Sequence, residues 1–259
     1  MKNTISISPH KLVQIMLIVI VLLTLASAAG SFLEQVSIDN SLLVEVRESW
    51  VRLFGPNGEA NIIAWYSSSA LLLCSFFLSI ITLVKKVKQD DYVRHWGILS
   101  LIFLYISVDE AAMIHEMADK PVRDLFGLGG FFYYGWIIPA GIVVLIVGLA
   151  YSKFLRHLPS RTRWLFIVAG GIFVGGAIGM ESISGLSDYL YSQERVASDE
   201  FVIIFETIEE FMEMLGIVVF IYALLDYASS HLKPVSFHIG NQQAAALLAT
   251  HSKESRLED

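Results

Sequence analysis

Apolar residues run along this chain in long blocks separated by short polar stretches, rather than in the alternating pattern of half-buried strands. A helix needs roughly 20 mostly apolar residues to cross a bilayer. Runs of that length lie at about residues 12–32, 62–84, 96–117, 131–152, 164–190 and 201–226. The pattern predicts an all-α, polytopic transmembrane helical bundle of about six spans over residues 1–232, with a polar cytoplasmic tail over 233–259. The stretch 33–61 is the largest loop. Within it, "SLLVEVRESWVRLF" mixes apolar and charged positions ahead of the turn "GPNG", which predicts a short interfacial helix.

Composition agrees. With 55% hydrophobic and 17% charged residues, and a mean hydropathy of +0.61, the chain is too apolar for an ordinary soluble domain. A net charge of −7 would usually mean a solvated acidic surface, but many of these acids sit inside the apolar runs. No basic stripe, GxGxxG turn or GxxxxGK[ST] loop occurs, which speaks against nucleotide and nucleic-acid partners. Cys74 is the only cysteine, so a disulfide framework, a CxxC pair or a cysteine zinc knuckle within one chain is excluded.

Loop charges set an expected orientation, because Lys and Arg in short loops are retained in the cytoplasm. Lys85, Lys86, Lys88 and Arg94 join the second and third runs, and Lys153, Arg156, Arg161 and Arg163 join the fourth and fifth. The alternate loops carry only Arg47 and Arg52, then Lys120 and Arg123, then Arg195. Both termini are therefore expected on the cytoplasmic side of the membrane. The first run also resembles a secretory signal ending in Ala26-Ser27-Ala28, but its apolar stretch is longer than a usual signal core, which favours a retained anchor.

The acids are patterned. Asp109 and Glu116, Glu181 and Asp188, and Glu206 and Glu213 are i, i+7 pairs, which two helical turns place on one stripe. Glu209 and Glu210 fill the positions between the last pair, so four carboxylates share one face of the sixth run. Glu110 and His115 lie off the Asp109 stripe, to either side. With the expected orientation, all of these groups fall in the outer half of the bundle. The plainer alternative is that they are protonated contacts between helices, or wet interfacial positions; it applies best to Glu110, Glu116 and Asp188, near run ends. It applies least to the four acids of the sixth run, since even a single central acid costs about 2.5 kcal/mol. Glu59 and Asn61 are candidate rim residues. Gly171, Gly175 and Gly179 form a GxxxGxxxG ridge suited to close helix packing, and Ser67, Ser68 and Ser69 can bond across helices.

The strings "NGEANIIAWYSS", "VDEAAMIHE" and "EEFMEMLG", in this order and spacing, resemble an uncharacterised bacterial family of polytopic membrane proteins, over about residues 55–226. The resemblance implies the same bundle and singles out Glu59, Asp109, Glu110, His115, Glu116, Glu209, Glu210 and Glu213. It implies no chemistry.

Three functions remain open. The first is a divalent metal ion held by Asp109, His115, Glu116, Glu181, Glu206, Glu209, Glu210 and Glu213, with Glu59, Asn61, Glu110 and Asp188 at the rim, acting on a lipid or other amphiphile. A di-iron centre of the ferritin type is not expected, because no Glu-x-x-His occurs on any run. The second is a cation or proton transporter, which the one-sided placement of the acids disfavours. The third is a non-catalytic assembly or binding protein.

Overall fold

The computed structural model describes residues 8–34, 40–55, 61–194 and 200–232, and the side chains of all of these except Glu34 and residues 200–203. The expected tail over 233–259 and the candidate Glu59 lie outside them. Among the described residues nine α-helices follow one another: α1 (Pro9–Glu34), α2 (Ser41–Phe54), α3 (Ile62–Val87), α4 (Val93–Ala112), α5 (Glu116–Phe126), α6 (Ile137–His157), α7 (Ser160–Val174), α8 (Glu181–Ser192) and α9 (Glu200–His231). A 3-10 turn (Gly130–Phe132) precedes α6, and a π-helical segment (Gly175–Met180) joins α7 to α8 without a break. No strand occurs among the described residues.

Among the described residues four elements are long and apolar enough to cross a membrane: α1, α3, α6 and the composite helix Ser160–Ser192. A fifth arises if α4 and α5, bent by 85° at a short break, count as one broken span. The sixth expected run is α9, which at 32 residues is also long and forms the middle of the bundle, packed against α1, α3, α7 and α8. Its Met214, Ile217, Val218, Ile221 and Leu224 are each at most 2% exposed. A lipid tail is as apolar as leucine, so such helices are held by close packing and interhelical hydrogen bonds rather than by hydrophobic burial.

Serines supply much of that bonding. The α3–α4 pair carries a ladder in which Ser75 Oγ donates to the Ser100 carbonyl (2.8 Å), Ser100 Oγ returns to the Ser75 carbonyl (2.9 Å), and Ser68 and Ser107 exchange the same pair of bonds (2.7 and 2.8 Å). Small side chains at these positions let the backbones approach while every hydroxyl finds a partner. Near the opposite end, Trp96, Phe154, Phe166 and Tyr227 interlock as edge and stacked aromatic pairs.

Two helices lie outside the packed bundle. α2, the helix expected in the long loop, is capped by the Asn40 side chain and presents Leu42, Leu43, Val46 and Leu53 outward. α5 presents Met117, Leu125 and Phe126 in the same way. Apolar faces of this kind suit helices lying in a membrane interface.

Candidate functional site

Glu206, Glu209, Glu210 and Glu213 lie along one face of α9, spread over about 10 Å at 1.5 Å per residue. All four line a single cavity of about 850 Å³. Asp109, Glu110, His115 and Glu116 reach it from the α4–α5 fold, Glu181 from the start of α8, and Asn61 from the start of α3. Its remaining wall is largely apolar, and among the described residues no Lys or Arg lines it.

The α4 side departs from expectation. The third run was read as one continuous helix carrying Asp109 and Glu116 on one stripe, but α4 stops at Ala112 and Met113 takes a left-handed conformation, φ 50°. Asp109 explains where the chain turns. Its carboxylate accepts the His115 backbone N–H (2.9 Å) and also pairs with the ring Nδ1 (2.9 Å), folding the end of the helix back on itself. Helix geometry therefore does not bring Asp109 and Glu116 together; the turn does, and Glu116 sits exposed at the rim. With Nδ1 held by a carboxylate, the other ring nitrogen of His115 is the one left for a ligand.

The fourth run also starts later than expected, since residues 131–136 form the end of the 3-10 turn and a bend rather than helix. That bend carries Trp136, whose Nε1–H donates to Glu181 Oε1 (2.7 Å) and whose ring lies 4.5 Å from that of His115. Asp188, one of the expected rim residues, does not line the cavity: it accepts the Tyr134 hydroxyl, and Tyr134 occupies the wall in its place. Glu210 accepts from Ser27 Oγ of α1 (3.3 Å). Glu110, Glu209 and Glu213 make no hydrogen bond or ion pair with any described residue, so their carboxyl groups are available to whatever fills the cavity.

Asp119, Tyr134 and Trp136 were not singled out in the sequence. Asp119 accepts the Gly135 N–H (2.5 Å) and pairs with Arg123 (3.2 Å), whose guanidinium donates to the Tyr133 carbonyl (3.1 Å) and covers the Tyr133 ring (4.6 Å). This knot fastens the α5–α6 connection over the cavity. The i, i+4 spacing of Asp119 and Arg123 was a legible signal for an ion pair; the contact with Gly135 was not, because it depends on the fold-back at Met113.

Within the chain the glycine ridge meets α9 only in part. A Cβ at Gly171 or Gly179 would meet nothing within 4 Å, and of the three only Gly175 approaches α9, through Met212. The closer packing of α7 and the π-helical segment on α9 runs through Gly176, where a Cβ would lie 3.0 Å from the Glu209 carbonyl and 3.1 Å from Glu213 Cγ, and through Gly216, 2.8 Å from the Phe173 nitrogen. The wider turn of the π-helical segment changes the angular spacing of residues 175–180, so past Gly175 the i, i+4 rule for an α-helix does not say which glycine faces α9. The segment also places Gly176 against the acids, letting the backbone of the α7–α8 helix come close to Glu209 and Glu213.

Among the described residues, no group of three or more His, Cys, Asp or Glu side chains is gathered closely enough to hold a metal ion. The acids are spread around the wall of a roomy cavity. A family profile described as Domain of unknown function (DUF8692) matches residues 15–228. No curated protein and no solved structure matches the chain.

Proposed function

For this chain, which belongs to the DUF8692 family, we propose that the cavity binds a positively charged ligand inside a membrane-embedded helical bundle, with its acid end on the extracytoplasmic side. The observation that carries the reading is the charge balance of one cavity. Ten of the residues chosen from the sequence line it, nine of them Asp, Glu or His, and among the described residues no Lys or Arg does. Carboxylates crowded in a poorly solvated site repel one another and cannot all ionise without counter-charge, which a cationic ligand or protons must supply. Its volume lies within the roughly 300–1,000 Å³ typical of small-molecule sites. An organic cation, larger than a bare metal ion, can meet carboxylates spaced around such a wall without drawing them together.

A divalent cation is the second reading, and the Asp109–His115 pair favours it. A carboxylate that orients a histidine through one ring nitrogen commonly presents the other to a metal. For this reading the acids of α9 must close in around the ion, because bonds of about 2.0–2.6 Å are required.

Binding of ethylamine and of divalent metal to the purified full chain, with elemental analysis of the protein as isolated, tests both. Glu209→Gln and Glu213→Gln should each weaken ethylamine binding on the order of tenfold, the worth of one charge-assisted hydrogen bond. Unchanged binding in both variants would refute the organic-cation reading. Stoichiometric metal that is lost in Asp109→Asn would establish the second.

A further inference from the structure

We infer that the ligand of this cavity enters sideways from the bilayer, between α4 and α6, and is an amphiphile with an amine head and no phosphate. The inference rests on reading the cavity as a cation site and adds the ligand's class and route.

The route follows from how α6 is attached. At one end of the bundle the Tyr151 hydroxyl of α6 donates to the His95 carbonyl of α4 (2.9 Å), and the His157 ring stacks on Tyr92 at 4.5 Å. At the acid end, Trp136 meets His115 and Glu181. Between these two clasps α4 and α6 do not pack closely; α6 makes its few helix contacts with α7 and the π-helical segment. Residues from both sides of the opening, Tyr105 and Ile106 on α4 and Ala140, Val143 and Val144 on α6, line the cavity itself. The outer surface of α6 is apolar and exposed at Ile142, Leu145, Ile146 and Leu149, as a lipid-facing helix requires. The opening therefore gives onto hydrocarbon.

The ligand class follows from the polarity along the cavity. Val143 and Val144 lie about two turns along α6 from Trp136, and Phe173 about two turns before Glu181, so the wall passes from carboxylates to hydrocarbon over roughly 10 Å. A small ion uses only the first half of such a space, whereas a head group with an attached chain uses both. Glu213 lies deep on the α9 wall, makes no hydrogen bond with a described residue, and is thus placed to receive an ammonium. A phosphate would face at least nine acidic or histidine side chains, with no Lys or Arg among the described lining residues to answer it.

The test uses the full chain in phosphatidylcholine nanodiscs at neutral pH, with dodecylamine, dodecanol, dodecyl phosphate and ethylamine as probes. Dodecylamine should bind on the order of tenfold or more tightly than dodecanol or dodecyl phosphate, reflecting the charge-assisted bonds to carboxylate. Ala140→Trp and, independently, Val144→Trp narrow the opening and should slow dodecylamine association about tenfold or more in stopped-flow mixing, since an obstructed route lowers the rates of entry and exit rather than the affinity of the site. A dodecylamine carrying a mid-chain diazirine should label Tyr105, Val143 or Val144, which keeps the test decisive if either variant fails to fold. Equal binding of dodecyl phosphate or dodecanol would overturn the amine head. Labelling confined to the outer face at Leu145 and Leu149, or an unchanged association rate in both obstructed variants, would overturn the lateral route while leaving the cation site standing. Absence of binding by both amines would remove the cation site itself.

Discussion

The contact between α7 and α9 provides the sharpest quantitative test of the packing, because it depends on Gly216 rather than on the glycines that the sequence pattern singles out. A Cβ added at Gly216 would stand 2.8 Å from the Phe173 nitrogen, 2.9 Å from the Ala169 carbonyl and 2.9 Å from Phe173 Cβ, where ordinary contact begins near 3.4 Å. The deficit of about 0.6 Å is against helix backbone, which cannot turn aside as a side chain can. Gly216→Ala must therefore push the two helices apart. Overpacking of this kind costs roughly 1–3 kcal/mol, partly offset by the gain of about 1 kcal/mol in helix propensity, which leaves a net cost of up to about 2 kcal/mol. The expected result is a lowering of Tm by up to about 8 °C. Gly171→Ala is the control: with nothing within 4 Å of its new Cβ, it should keep the propensity gain and raise Tm by about 2–4 °C. Gly176→Ala should fall between them, since it meets the Glu209 carbonyl at 3.0 Å. Thermal melting of the detergent-solubilised protein, followed by loss of the monodisperse peak, measures all three. If Gly171→Ala destabilises as much as Gly216→Ala, the packing described for α7 and α9 is wrong.

Three further outcomes are expected. Ser100→Ala removes the bonds that Ser100 Oγ makes to the Ser75 carbonyl and to Ser79 Oγ (2.8 Å), and at about 0.6 kcal/mol per interhelical bond it should cost roughly 1 kcal/mol, while Ser69→Ala, on an exposed position, should leave the melting point unchanged. Asp90, in the loop between α3 and α4, is raised by burial, but Lys85 Nζ (2.7 Å) and the Tyr92 N–H (3.0 Å) outweigh that and hold its carboxyl below the usual value. Its folded-state pKa being the lower one, this stabilisation is present above the unfolded pKa of about 3.9 and is lost as pH falls through the depressed value; Asp90→Asn should therefore lower Tm by no more than about 2 °C at pH 6, for a partly solvated pair, and the difference should vanish in strong acid. Finally, Lys120→Cys on exposed α5 should react with an impermeant thiol reagent on intact cells and Lys86→Cys should not, against a silent background from buried Cys74; the reverse pattern would invert the proposed orientation.

The sequence by itself determined the helical class, most of the long apolar helices and the helix α2, because those depend on local periodicity and length. It also determined that the acids of α9 share one face, since Glu206 to Glu213 lie in an unbroken α-helix where 3.6 residues per turn holds throughout. The same arithmetic failed wherever the backbone left that geometry. The Asp109–Glu116 stripe was broken by a turn that Asp109 itself closes through His115, and past Gly175 a π-helical segment changed which glycine faces α9. Neither departure carries a periodic signal: one depends on a side chain capturing a backbone N–H six residues on, the other on the inner face of α7 meeting α9. Asp188 shows the same limit, as its i, i+7 relation to Glu181 is kept on α8 while Tyr134, distant in sequence, takes its carboxylate away from the cavity. The opening between α4 and α6 is wholly a tertiary feature, fixed by two clasps at the helix ends that join residues 56 and 21 positions apart in the chain.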